Sequence, residues 1–251
     1  MTLVPSQFRA RRLATVGLVA LLVTGCTAIP TIAPTPSPTA LPTIPPTTPP
    51  YTLGPTISPS PNGCPTATPA AFTGTATVTM TTNFGNIVIK VDGSLGANAA
   101  GAFVALARCG YYNNVIFHRV VAGFIVQSGD GSYAREPNLT VSKMGLGGPD
   151  WKVQDDKVTT TYKRGTVSMA RTSAANSGNS QFFIVLSDSA QTSLGDPSTN
   201  NYAIFGSVTT GMDVADRIAS VPLGGEPGPN GEPASMPLQP IVITSTIVAT
   251  P

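Results

Sequence analysis

The sequence predicts a mainly β fold, a closed eight-stranded antiparallel barrel capped by two α-helices. Three observations lead there. Eight short stretches are rich in β-branched and aromatic residues, and several alternate apolar with polar positions, the period of a half-buried strand. Two stretches show helical spacing instead. All of them lie beyond Phe72, because the chain before it holds too little apolar material to build a core.

The first strand covers residues 75–82 and alternates around Val78 and Met80. Asn83-Phe84-Gly85-Asn86 supplies a turn, and Ile87, Ile89 and Val91 resume the alternation. Residues 98–110 switch to helical spacing, with Phe103, Leu106 and Ala107 on one face, Asn98 as expected N-cap and Gly110 at the end. Two strands joined at Ala122-Gly123 occupy residues 115–130. Residues 131–164 form a long polar, glycine-rich loop. Gly145-Leu146-Gly147-Gly148 in it lacks the lysine–hydroxyl pair of a phosphate cradle. Strands follow at 166–171, 181–187 and 202–208. A short helix at 211–220 places Met212, Ala215 and Ile218 on one face, stopped by Pro222. A Gly/Pro loop at 224–240 leads to a last strand at 241–249.

Arg9, Arg11 and Arg12 precede a short apolar run ending in Val23-Thr24-Gly25-Cys26, so residues 1–25 read as a secretion signal. The run is shorter than the roughly 20 residues a membrane span needs. The last four residues resemble a bacterial lipobox, which implies lipidation of Cys26 and a membrane-anchored, extracytoplasmic protein. Residues 26–71 hold 14 of the 25 prolines, and no charged residue occurs between Arg12 and Lys90. Such a stretch is expected to be an extended, disordered spacer, with the folded domain at 72–251. Removing residues 1–25 takes away three arginines and no acidic residue, leaving 11 basic against 12 acidic side chains. A near-neutral chain without a clustered basic face is not a nucleic-acid binder. With Cys26 lipidated, Cys64 and Cys109 remain; an exported protein can pair them, and two unpaired thiols are the alternative.

The chemistry concentrates in residues 115–130, which hold the only histidine, His118, beside Arg119. On an alternating strand Phe117 and Arg119 share one face, while Ile116, His118 and Val120 share the other. An arginine facing Phe117, Phe124, Ile125 and Gln127 is costly unless it has something to bind. One histidine and two spare cysteines make no metal site. A hydrolytic triad around His118 lacks a nucleophile elbow.

Three blocks then occur in order. They are Phe117-His118-Arg119-Val120-Val121 with Gly123-Phe124-Ile125-Val126-Gln127 and Gly129-Asp130; Gly165-Thr166-Val167-Ser168-Met169-Ala170-Arg171 with Asn179-Ser180-Gln181-Phe182-Phe183-Ile184; and Tyr202-Ala203-Ile204-Phe205-Gly206. Together they resemble the cyclophilins, the peptidyl-prolyl cis-trans isomerases, over about residues 75–249. The resemblance implies the same eight-stranded, two-helix fold and no cofactor or metal. It implies that Arg119 is the catalytic arginine and that Phe124, Ile125, Phe183 and Leu194 form the proline pocket. Gln127, Ala170, Arg171 and Gln181 would line the peptide groove, with His118 and Tyr202 flanking it; Tyr202 stands where many members have histidine.

Two departures stand out. The only tryptophan, Trp151, lies in a different loop from the one that contacts cyclosporin in many members, where this chain reads Thr192-Ser193-Leu194-Gly195-Asp196. Cyclosporin binding is therefore not implied. The Met169-to-Gln181 connection is also about one residue longer than common versions. The expected partners are proline-containing peptides and unfolded exported proteins, met by a monomer on the membrane. A tethered proline-peptide binding or chaperone module with incidental catalysis is the alternative.

Overall fold

The computed structural model describes residues 63–195, 202–225 and 234–251. The expected signal at 1–25, Cys26 and the spacer as far as residue 62 lie outside the described residues.

Strands β1 (Thr75–Thr82) and β2 (Gly85–Asp92) form a tight hairpin. The Thr82 hydroxyl closes it, accepting from the Phe84 N–H at 3.0 Å and donating to the Gly85 carbonyl at 2.7 Å. Gly85 itself sits at φ 126°, a conformation that glycine adopts without strain. Helix α1 (Ala97–Arg108) buries Phe103, Leu106 and Ala107 as its spacing requires. The Phe103 ring meets Tyr112, Phe182 and Phe205 at centroid distances of 5.3, 5.2 and 4.8 Å, which fastens the helix into the concave side of the sheet.

The sheet continues through β3 (Arg119–Val121), β4 (Ile125–Ser128), β5 (Thr166–Met169) and β6 (Phe182–Val185). After helix α2 (Ala190–Leu194) come β7 (Ile204–Thr210), helix α3 (Met212–Ala219), the short pair β8 (Leu223–Gly224) and β9 (Met236–Pro237), and β10 (Ile243–Ala249). Eight strands make one antiparallel sheet in the order β10-β1-β2-β7-β5-β6-β4-β3. It curls into a half-barrel, so "closed" overstates the expectation. The two edges meet only through an isolated bridge, Ile116 to Val242, and backbone bonds such as Phe117 N–H to Ile241 carbonyl at 2.9 Å. No ladder forms there because β3 is three residues long and its Val120 N–H goes to Ser235, beside β9, at 2.7 Å.

Other expectations change in detail. Asn98 is not the N-cap of α1; Gly96 is, with no side-chain cap of its own. A remote carboxylate does the work instead. Asp156 accepts from the backbone N–H groups of Asn98 and Ala99 at 3.1 and 2.9 Å, at the end of the helix that favours negative charge. Helix α2 and the β8–β9 pair were not expected, being too short for a periodic signal.

Folded chain also begins before Phe72. Cys64 and Cys109 are joined as a disulfide, the Trp151 indole N–H donates to the Pro65 carbonyl at 2.9 Å, and Thr68 bonds Lys152. The strap then crosses α1 so closely that a Cβ on Gly101 would lie 2.2 Å from the Ala70 carbonyl. Proline-rich composition argues for extended backbone there, and extended backbone lies well along a domain surface. Cys64 and Cys109 are 45 residues apart, so the cross-link removes a large loop entropy from the unfolded chain. Cys109→Ser should lower unfolding free energy by about 4 kcal/mol on the loop-entropy estimate, read as a fall in urea midpoint. An unchanged midpoint would show that the strap adds nothing to stability.

Candidate active site

Strand alternation divides the curled sheet into two faces. Val120, Val126, Val167, Phe182, Ile184 and Phe205 point into the main core with α1. Ile125, Phe183, Val185 and Ile204 belong to a second apolar cluster on the other side, with Tyr162, Ala190 and Leu194. Adjacent residues such as Phe182 and Phe183 therefore serve different cores, as a pleat of period two demands.

The outer face carries a row of directly opposed residues. Arg119 pairs with Gln127, Gln127 with Phe183, and Phe183 with Ser168. Directly opposite side chains lie about 4.5–5.5 Å apart at Cβ, so a guanidinium, an amide and an apolar ring sit side by side. Above this row lies a groove of about 780 Å³. Ten of the eleven residues proposed from sequence line it: His118, Arg119, Phe124, Ile125, Gln127, Ala170, Arg171, Phe183, Leu194 and Tyr202.

Gln181 is the exception, and its position explains the rest. It is buried behind the wall, where its Oε1 accepts from the Gln127 amide at 3.0 Å. Its Nε2 donates to the carbonyls of Gly145 and Gly147, both at 2.9 Å. The N–H groups of the same two glycines donate to Asp130 Oδ2 at 2.7 and 3.1 Å, while Asp130 Oδ1 accepts from Ser132 and Tyr133. The loop beside the groove is thus held by both its donors and its acceptors, and the Gln127 amide is oriented by the same network.

At the other end, Phe183 meets Tyr202 edge to face, centroids 5.5 Å apart, and the Arg171 guanidinium lies 5.5 Å from the Tyr202 ring centre. Tyr162 fixes the backbone of Tyr202, donating its hydroxyl proton to that carbonyl at 2.8 Å. Burial pushes the Tyr162 hydroxyl up to about 12, so it remains a donor. Leu194, at the end of α2, is buried against the same cluster as Phe183. Trp151 is not part of the groove: it belongs to the main core and holds the strap.

His118 and Arg119 were expected on opposite faces, yet both line the groove. The reason is that β3 begins only at Arg119, so His118 precedes the regular pleat. His118 is 6% exposed, and neither ring nitrogen has a hydrogen-bond partner among the described residues. Burial, helped by the Arg119 charge, pushes it down to about 4; Asp130 pulls the other way without restoring it. At neutral pH the ring is neutral. The residues that sequence reading missed are chiefly Val141, Met144 and Leu146, which form a rim of the groove. Apolar residues inside an otherwise polar loop were the available signal.

A protein-family model for the cyclophilin type peptidyl-prolyl cis-trans isomerases matches residues 77–248, nearly all of the curled sheet. The chain belongs to that family. It is a peptidyl-prolyl cis-trans isomerase. Among curated relatives, isomerase A of Dickeya dadantii is 38% identical over 168 residues, 67% of this chain and 82% of that one. Isomerase B of Escherichia coli is 34% identical over 68% of this chain and 99% of its own length. A crystal structure of a Cryptosporidium parvum cyclophilin, determined in the presence of the dipeptide Ala-Pro, superposes with a TM-score of 0.54 at 28% identity. The match covers 70% of this chain and 99% of that one.

The buried histidine gives the cyclophilin domain a definite pH response. Below the ordinary 6.5, the unfolded chain takes up a proton that folded His118 refuses until about pH 4. Stability is therefore intact above 6.5 and falls as pH drops towards 4, by about 2 kcal/mol between pH 7 and 5. His118 is the only histidine, so the unfolding free energy of His118→Gln, read from urea titrations, should fall less over that range by about this amount. Equal slopes for the two proteins would refute the burial penalty.

Proposed function

We propose that this isomerase turns Xaa–Pro bonds in exported proteins, assisting their folding, from a lipid anchor on the outer side of a membrane. Its natural state in this reading is a monomer. Rotation about an Xaa–Pro bond faces a barrier of about 18–20 kcal/mol because it breaks amide resonance. In the twisted transition state the proline nitrogen regains a lone pair. Arg119 donates to that developing lone pair, an interaction that the planar ground state cannot offer.

The remaining residues position the peptide. Phe124, Ile125, Phe183 and Leu194 receive the proline ring, and Gln127, oriented by Gln181, holds the backbone. Ala170 and Arg171 continue the groove, with His118 and Tyr202 at its flanks. The observation that carries this reading is the row of opposed residues, Arg119 to Gln127 to Phe183. It sets a permanent cation one position from the amide and two from the ring pocket. Neutral His118 keeps a second charge away from the guanidinium and takes no proton-transfer role.

Arg119→Ala should reduce kcat/KM on an Xaa–Pro peptide by about 10²–10³-fold, the usual loss for one transition-state donor, with the urea midpoint nearly unchanged. Undiminished turnover would leave the groove as a binding site with incidental catalysis. The anchor has its own test. Wild-type chain should fractionate with membranes and carry acyl groups on Cys26, and Cys26→Ser should move it to the soluble fraction. Membrane retention of Cys26→Ser would rule out lipid anchoring.

A further inference from the structure

The strap ahead of β1 ties to the domain at several points. Its far end is held by the Cys64–Cys109 disulfide and by Pro65, whose carbonyl accepts from the Trp151 indole at 2.9 Å. Thr68 donates to the Lys152 carbonyl at 2.9 Å, and the Phe72 N–H donates to the Ala97 carbonyl at 2.9 Å. Trp151, the only tryptophan in the chain, is 8% exposed at this contact.

Both partners of the strap lead to one short segment, residues 179–181. Two positions before Trp151, the Pro149 carbonyl accepts from the Asn179 side-chain amide at 3.1 Å, and Asn179 Oδ1 accepts from the Ser180 N–H at 2.7 Å. On the other side, α1 ends at Cys109 and Tyr111 and Tyr112 follow. The Tyr112 hydroxyl donates to the Ser180 carbonyl at 3.0 Å, and the Tyr111 hydroxyl bonds to that of Ser180 at 3.3 Å. Asn179, Ser180 and both tyrosines are buried. The contacts thus close a circuit from Cys64 through Trp151, Asn179 and Ser180 to Tyr112, Cys109 and back. Shifting the segment inside it would strip buried polar groups of their partners. The next residue is Gln181, whose side chain orients the Gln127 amide and holds Gly145 and Gly147.

We propose that the strap positions the active site and makes it redox-sensitive. With Cys64 and Cys109 joined, the circuit holds Gln181 and through it the Gln127 amide; with the bond reduced, both loosen and the peptide binds less tightly. The proposal rests on the isomerase reading and deepens it by giving that groove a means of control. Cys64, Cys109 and Trp151 act through Gln181 and are positioning residues. The disulfide is half-buried beside the exposed Gly63 and Thr66, within reach of a dithiol protein. A thiolate of that partner attacks one sulfur and displaces the other, and its second thiol then resolves the mixed disulfide. Two electrons and two protons pass to Cys64 and Cys109, and the partner leaves as its own disulfide.

The test compares the full-length chain, oxidised and after treatment with a dithiol, with the double variant Cys64→Ser, Cys109→Ser, all well below the unfolding midpoint. Trp151 emission reports whether the strap has left, since release brings the indole into water. On reduction the emission should shift to the red. Kd and KM for an Xaa–Pro peptide should rise about threefold to tenfold, the worth of one net hydrogen bond, with kcat unchanged within about twofold. In amide proton–nitrogen spectra of the folded protein, the Gln127 side-chain amide and the N–H groups of Gly145 and Gly147 should move, which a mere loss of stability would not cause. The double variant should match the reduced chain and ignore the dithiol. Unmoved Trp151 emission overturns the proposal, because the disulfide then does not seat the strap. Shifted emission with Kd, KM and those resonances unchanged overturns it too, and leaves the strap a staple alone. No turnover in the oxidised chain would overturn the isomerase reading instead, with Kd and the resonances still deciding the role of the strap.

Discussion

The site depends on one buried polar network, the grip of Asp130 and Gln181 on two glycines. Asp130 is fully buried and its carboxylate accepts four backbone N–H groups. A buried carboxylate with four charge-assisted partners is well compensated, whereas any one of those amides left unpaired would carry a desolvation penalty. Gln181 supplies the complementary donors and spends its oxygen on Gln127. Loop, histidine cover and the Gln127 amide are thus set by the same few bonds. Asp130 and Gln181 are themselves buried, so the centre of the network is shielded from water.

The pleat supplies the other half of the arrangement. Because neighbours point to opposite faces, Phe182 can join the aromatic cluster around Phe103 while Phe183 floors the groove. Packing α1 against the concave face therefore stiffens the convex one. A rigid base suits this reaction, in which selectivity between planar and twisted amide comes from groups already in place.

Much of this was legible in the chain. Alternation revealed the strands, helical spacing revealed α1 and α3, and three ordered motifs gathered ten of the site residues. What escaped follows from physical causes. His118 and Arg119 share the groove because the strand starts only at Arg119, four residues later than its composition suggests, and boundaries leave no periodic trace. Gln181 looks like a groove residue in sequence, and only the fold shows its amide turned to Gly145 and Gly147. Asp156 caps a helix 58 residues away, a contact that local reading cannot see. The Cys64–Cys109 pair was open as one of two alternatives, since a 45-residue separation does not show that the two meet.

The division of labour between ladder and loop has a consequence for how such a groove can change. Gln127 and Phe183 are fixed in register by backbone bonds on both sides, and Arg119, on the edge strand, by those to β4. Val141, Met144 and Leu146 hang from a loop whose anchors are glycine backbone, Asp130 and Gln181, not the rim side chains themselves. Side chains on the rim can therefore be exchanged without disturbing the row of Arg119, Gln127 and Phe183. The row on the sheet and the rim on the loop are thus held separately, and Gln181 bonds to both.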